Sequence, residues 1–251
     1  MSSIGISAIV FACVFGGAMC GMFLRAVLPE HHLSAESKDV VKLGMGLVAT
    51  MCALILGLLV SSAKSYYDTQ SSELTEMSSK IVMLDRLLAH YGPETKEIRG
   101  MLRAVVSDFI DRMWSKQSSS SPQSEAPASR PEVLLDKVQE LSPKDDKQRA
   151  LQAQAASLTM DLGRMRWLQY MQRANSISMP LLVILVFWLT TIFMSFGLYA
   201  PANGTVLTSL FVAALSVSGA ILLILEMYMP YKGLIQISSA PFSDALMQLG
   251  K

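Results

Sequence analysis

Four stretches of this chain, residues 4–24, 43–62, 177–199 and 205–225, contain no charged side chain. Each is about twenty residues long, enough for a helix rising ~1.5 Å per residue to cross a hydrocarbon core of roughly 30 Å. Lipid offers no partner to backbone N–H and C=O groups, so each stretch must satisfy its own by forming a helix. The sequence therefore predicts an all-α integral membrane protein with four transmembrane helices.

Charge is segregated from these stretches, since most of the 21 basic and 20 acidic residues fall between residues 63 and 175. Residues 1–62 form a predicted first transmembrane pair, 63–175 a cytoplasmic helical region, 176–228 a second pair and 229–251 a cytoplasmic C-terminal tail. A net charge of +1, with no basic stripe interleaved with aromatics, argues against a nucleic-acid partner. The first stretch lacks a basic leader segment, exceeds the length of a signal-peptide core and is soon followed by a second equally long one. It is expected to be retained as a helix.

Four crossings put both termini and the middle region on one side. That side carries Lys64, Arg164, Arg166, Arg173 and Lys232 near the spans, whereas the other carries Arg25, Lys38 and Lys42. The excess of basic residues assigns the first side to the cytoplasm. Tyr199, Tyr228 and Tyr231 fall where an interfacial aromatic belt lies.

Within the middle region, Leu74, Met77, Ile81, Leu84, Leu88 and Tyr91 recur at spacings of three and four. They make one apolar stripe of a helix, which needs another helix to cover it. Gly92-Pro93 interrupts the pattern. Glu94 and Glu97 then open a second helix with Ile98, Met101, Leu102, Val105, Phe109 and Met113 on one face, so the two predict a hairpin. Residues 115–130, serine-rich with Pro122 and Pro127, lack the apolar surface to offset chain ordering and are expected to be a flexible linker. Pro131-Glu132 starts a short helix bearing Val133, Leu134, Val138 and Leu141. Ser142 as cap and Pro143 at the first helical position predict the start of a longer one. Its stripe of Leu151, Ala155, Leu158, Leu162, Met165, Leu168 and Met171 leads toward the third span, where Pro180 marks a kink or a fresh start. In the tail, residues 241–249 predict a terminal helix and 234–237 an extended segment, with no sheet anywhere.

The patterns of catalysis are missing: there is no phosphate-cradling glycine loop with lysine, no His-Glu-x-x-His, no cysteine pair at metal spacing and no glycine-flanked nucleophilic serine. An enzyme is therefore not expected. Adjacent His31 and His32 would face different directions on a helix, so a polar turn is the simpler role, and neither a metal nor another cofactor is expected. His90 suits a helix end better than a catalytic base. Cys13, Cys20 and Cys52 all lie within spans, where packing as small buried hydrophobes is the ordinary role.

Ala12, Gly16, Gly17 and Gly21 in the first span, and Gly44, Gly46, Thr50 and Gly57 in the second, make overlapping small-x-x-x-small patterns. Such patterns let helices approach closely, or let a helix crowd and bend around a pore. Gly16, Gly17, Gly21, Gly44 and Gly57 are the candidate helix-packing residues. Glu226, the one charge at the end of the fourth span, has to reach water, a partner such as Arg173 or the C-terminal tail. It is either part of an ion path or an interfacial carboxylate.

Three strings carry a family resemblance: Ser62-Ala-Lys-Ser-Tyr-Tyr-Asp-Thr-Gln-Ser-Ser-Glu73, Leu84-Asp-Arg-Leu-Leu-Ala-His-Tyr-Gly-Pro93 and Pro230-Tyr-Lys-Gly-Leu-Ile-Gln-Ile-Ser-Ser-Ala-Pro241. They resemble the bacterial DUF4239 family, also described as bestrophin-like, over nearly the whole chain. The resemblance implies a multi-pass protein of the bacterial inner membrane with both termini cytoplasmic. It also implies a homo-oligomer, a pentamer, conducting inorganic anions such as chloride through a pore lined by the second span. Bestrophin second spans carry a Leu-Gly step in a narrow hydrophobic neck. Leu56-Gly57 is similar to it, which implies Thr50, Met51, Leu54 and Leu58 on the stripe facing the axis, where an apolar constriction gates by dewetting. The acidic calcium-binding cluster of animal bestrophins is missing, Glu226 being followed by Met227, Tyr228 and Met229, so calcium gating is not expected. Two other classes stand beside the channel. One is a non-conducting scaffold or signalling subunit acting through the cytoplasmic amphipathic stripes. The other is a small-molecule transporter, for which the chain shows no inverted repeat or interrupted helix pair.

Overall fold

The computed structural model describes residues 2–29, 34–114, 131–172, 179–231 and 233–250. Among these residues the chain is all-helical and has no strand. In order come α1 (Ser3–Val27), α2 (Ala35–Tyr91), α3 (Lys96–Trp114), α4 (Pro131–Gln139), α5 (Asp146–Gln172), α6 (Met179–Tyr199), α7 (Gly204–Met227) and α8 (Ala240–Gln248). Helices α1, α2, α6 and α7 are long and apolar enough to cross a membrane, as the four uncharged stretches require. The expected linker 115–130, together with His31, His32, Arg173 and Lys232, lies outside the described residues.

Local chemistry sets where these helices begin and end. α2 runs unbroken for 57 residues, joining the second span to the stripe that starts at Leu74. Neither glycine nor proline occurs between Gly57 and Gly92, so nothing interrupts it. It stops at Gly92, whose φ of +143° lies where L side chains rarely go. A short 3-10 turn, Pro93–Thr95, follows, and the buried Thr95 hydroxyl lies 2.5 Å from the Leu88 carbonyl and 2.8 Å from that of Gly92, orphan acceptors at the helix end. α5 departs from the expected start at Ser142-Pro143. It begins three residues later because Asp145 is the better cap: its Oδ1 accepts from Gln148 N at 2.6 Å, while Gln148 Oε1 accepts from Lys144 N at 2.8 Å. This reciprocal pairing is a variant of the capping box. α6 opens with Pro180 in its first turn, so that proline marks a start rather than a kink. Asn203 caps α7 by accepting from Val206 N at 2.8 Å.

The chain divides into two compact units. The first, Met1–Tyr67 with Ser176–Ile235, contains α1, α6, α7 and the N-terminal part of α2. α1 packs along α6 and α7, with Val14, Ala18, Leu185, Ala214 and Ile221 at the centre of the apolar core. A buried hydrogen bond from Ser7 Oγ to the Ser218 carbonyl, 2.8 Å, ties α1 to α7 where no water competes for it.

The second unit, Asp68–Asn175 with Gln236–Lys251, contains the rest of α2 with α3, α4, α5 and α8. Leu74, Leu84 and Leu88 of α2 meet a core that includes Leu102 and Val106 of α3, Val138 of α4 and Phe242 of α8. Asp85, 1% exposed, accepts two bonds from Arg99, at 2.7 and 2.8 Å, and a third from Gly250 N at 3.3 Å. That fork raises the Arg99 pKa further, chiefly through the hydrogen bonds to Asp85. Trp114 Nε1 donates to the Ile237 carbonyl at 2.8 Å, and its ring lies among Phe109 and Phe242. The C-terminal segment is thus fastened to α2 and α3 at both ends of α8.

Candidate functional site

The N-terminal part of α2 has two apolar faces, one buried and one exposed. On one, Cys52, Leu59 and Ala63 are buried and Met45, Val48, Ile55 and Leu56 pack against the core of the first unit. These positions recur at three and four residues, as one side of a helix does. On the other, Leu43, Leu47, Met51, Leu54 and Leu58 are exposed, Leu54 at 74%. Only 11% of the most apolar eighteen residues of α2 are buried, against 33%, 33% and 28% in α1, α6 and α7. Among the four spans, α2 therefore has the largest unpartnered apolar face.

All four residues assigned to the axis, Thr50, Met51, Leu54 and Leu58, lie on this exposed face. The Thr50 hydroxyl donates back to the Leu47 carbonyl at 2.7 Å and approaches that of Gly46 at 3.2 Å, which leaves its methyl and oxygen lone pairs toward the outside. Leu56 of the Leu56-Gly57 step turns half inward, whereas Gly57 faces out.

The candidate packing glycines separate into two groups. A Cβ on Gly17 would stand 2.8 Å from the Thr190 carbonyl oxygen, and one on Gly21 would overlap the Met194 carbonyl. Gly197, which the sequence patterns passed over because it has no small partner at helical spacing that stood out, meets the Ala18 carbonyl in the same way from α6. These three let α1 and α6 touch backbone to backbone. Gly16, Gly44 and Gly57 have nothing within 4 Å of where a Cβ would sit, so they make no close packing contact inside this chain. The cysteines divide similarly: Cys52 is buried, but Cys13 and Cys20 lie exposed on the outer side of α1 and do not fill a core.

The bestrophin-like domain family matches residues 12–242. The chain belongs to that family. No curated protein and no solved structure matches it. It is a membrane protein of the bestrophin-like family, and the match covers both of its units.

In this bestrophin-like chain Glu226 takes the third of the routes open to it. It is 3% exposed and its carboxylate accepts from Leu234 N in the C-terminal tail rather than reaching water. Gly233, at φ +120°, brings the backbone directly against that carboxylate, a conformation only glycine adopts readily. Nearby, Tyr228 shares a hydrogen bond of 3.1 Å with Ser62 and stacks on Tyr66 at 5.4 Å between ring centroids. Glu226 therefore anchors the tail beneath α7, and no sequence signal linked it to Gly233. His90 lies exposed in the last turn of α2, where a positive charge suits the helix dipole.

Proposed function

We propose that this protein is a homo-oligomeric ion channel of the bacterial inner membrane, its conduction path lined by the exposed face of α2. Thr50, Met51, Leu54 and Leu58 would face the axis, with Leu54 and Leu58 forming an apolar neck that gates by dewetting. A pentamer, with both termini and the 63–175 region cytoplasmic, is the assembly that family resemblance favours. The observation that carries the proposal is the two-faced second span: one side is buried in its own chain, and the side assigned to the pore is left without a neighbour.

A scaffold acting through its amphipathic stripes has less support. Leu74, Met77, Ile81, Leu84 and Leu88, with Ile98, Leu102 and Val106, are buried inside the second unit and are not free to hold another protein. Its remaining support is the exposed side of α5, where Met160, Trp167 and Met171 face outward. Flux through liposomes separates the two. Leu54→Ala and Leu58→Ala widen and weaken an apolar neck, so ion flux should rise several-fold over the unaltered protein. Flux that is indistinguishable from protein-free liposomes in all three would refute the channel and leave the scaffold.

A further inference from the structure

Within the pore assignment of α2, on which it rests, the charge of the permeant ion is written along the same helix face; we infer that the path selects cations, through a ring of Glu36 carboxylates at its non-cytoplasmic mouth. Glu36 is exposed in the first turn of α2. It precedes Leu54 by eighteen residues, five full turns at about 3.6 residues each, so the two point the same way. Val40, Leu43 and Leu47, all exposed, continue that line from Glu36 to the neck. Beyond the neck the face turns polar through Ser61 and Ser65.

The basic residues closest to the neck point elsewhere. Lys42 lies about 120° and Lys64 about 80° from Leu54 around the helix. The Lys64 ammonium sits 5.8 Å from the centre of the Tyr67 ring, which draws it further to the side. A closed ring of subunits repeats whatever stands on this face once per copy, and a ring of carboxylates at a narrow mouth concentrates cations and excludes anions. The resemblance to bestrophins implies an anion; the side chains on this face favour the opposite sign.

The test is the reversal potential of the purified full-length protein in a planar bilayer under a tenfold KCl gradient. Perfect selectivity for a monovalent ion corresponds to about 59 mV. The current should reverse on the potassium side, Glu36→Gln should move the reversal toward zero, Glu36→Lys should move it further, and Lys42→Gln should leave it in place. Reversal on the chloride side overturns the inference while the channel itself stands. A potassium-side reversal that Glu36→Lys leaves unmoved overturns the role of Glu36. Absence of current in the unaltered protein and in Leu54→Ala alike removes both the channel and its selectivity.

Discussion

The same substitution, Gly→Ala, should have opposite effects at Gly21 and Gly57. At Gly21 the added methyl would overlap the Met194 carbonyl and stand 2.9 Å from Leu198 N. Both obstacles are backbone, so no rotamer change relieves them, and α1 must move away from α6. Overpacking costs about 1–3 kcal/mol, and with two backbone contacts the upper end applies, about 3 kcal/mol. Alanine returns about 1 kcal/mol of helix propensity, leaving roughly 2 kcal/mol of destabilisation. At Gly57 nothing within the chain lies within 4 Å, so in the dissociated monomer only the propensity gain of about 1 kcal/mol remains. The two variants should differ by about 3 kcal/mol, which at roughly 2–4 °C per kcal/mol for a chain of this size separates their melting temperatures by about 6–12 °C. Thermal unfolding of the dissociated monomer in one detergent, followed by circular dichroism, measures it. If Gly21→Ala melts at or above the unaltered protein, the backbone contact between α1 and α6 is wrong. If Gly57→Ala is destabilised as strongly as Gly21→Ala, the exposed face of α2 is wrong.

Asp85→Ala removes the acceptor of a bidentate pair and leaves Arg99, whose side chain is 19% exposed, with its charge largely enclosed. Stranding one member of a buried pair costs about 3–5 kcal/mol, and the partial exposure of Arg99 reduces this to about 2–4 kcal/mol; adding Arg99→Met should restore much of it, and a double variant no more stable than Asp85→Ala would contradict the pairing. The Glu94–Lys144 pair should make the α2–α3 turn sensitive to acid, because the hydrogen bond from Lys144 holds the Glu94 carboxyl below its ordinary range. A depressed carboxyl stabilises the fold above its unfolded-state pKa and loses that contribution as pH falls through the folded-state value. Amide protection factors across residues 92–96 of the full chain, corrected for the intrinsic exchange rate at each pH, should therefore fall on acidification, and Lys144→Met should abolish that fall; identical profiles would show that the pair does not act on the turn.

Most of the architecture was legible because it depends on periodicity and punctuation. Uncharged stretches of membrane length, the stripe from Leu74 to Tyr91 and the Gly92-Pro93 break each reflect a local rule that tertiary contacts do not override. The start of α5 was not legible, since Ser142-Pro143 and Asp145 with Gln148 are both sound helix openings. The choice between them is made by Gln148, whose side chain also reaches the Tyr91 carbonyl at 3.0 Å across the bundle. The clamp of Gly233 on Glu226 was hidden for a similar reason: it joins residues seven apart whose chemistry has no common motif. Nor could spacing tell which glycines pack within the chain, because Gly16 and Gly17 are neighbours about 100° apart around α1, one exposed and one buried.

The outward glycines bear on what the α2 face is for. The exposed face of α6 is built of bulky side chains such as Val183, Phe187 and Phe196. α2 instead exposes Gly44, Gly46 and Gly57 among its leucines. Relative to alanine each glycine costs about 1 kcal/mol in a helix interior, so three cost about 3 kcal/mol, and nothing in the chain touches them to offset it. Lipid contact alone gives no reason to keep them. Close approach of neighbouring copies of α2 around an axis does, since small residues are what let helix backbones meet. The glycines and the leucines thus divide one face between them: Gly44, Gly46 and Gly57 flank the line of Leu43, Leu47, Leu54 and Leu58, where contact with the next subunit would leave those leucines turned to the axis.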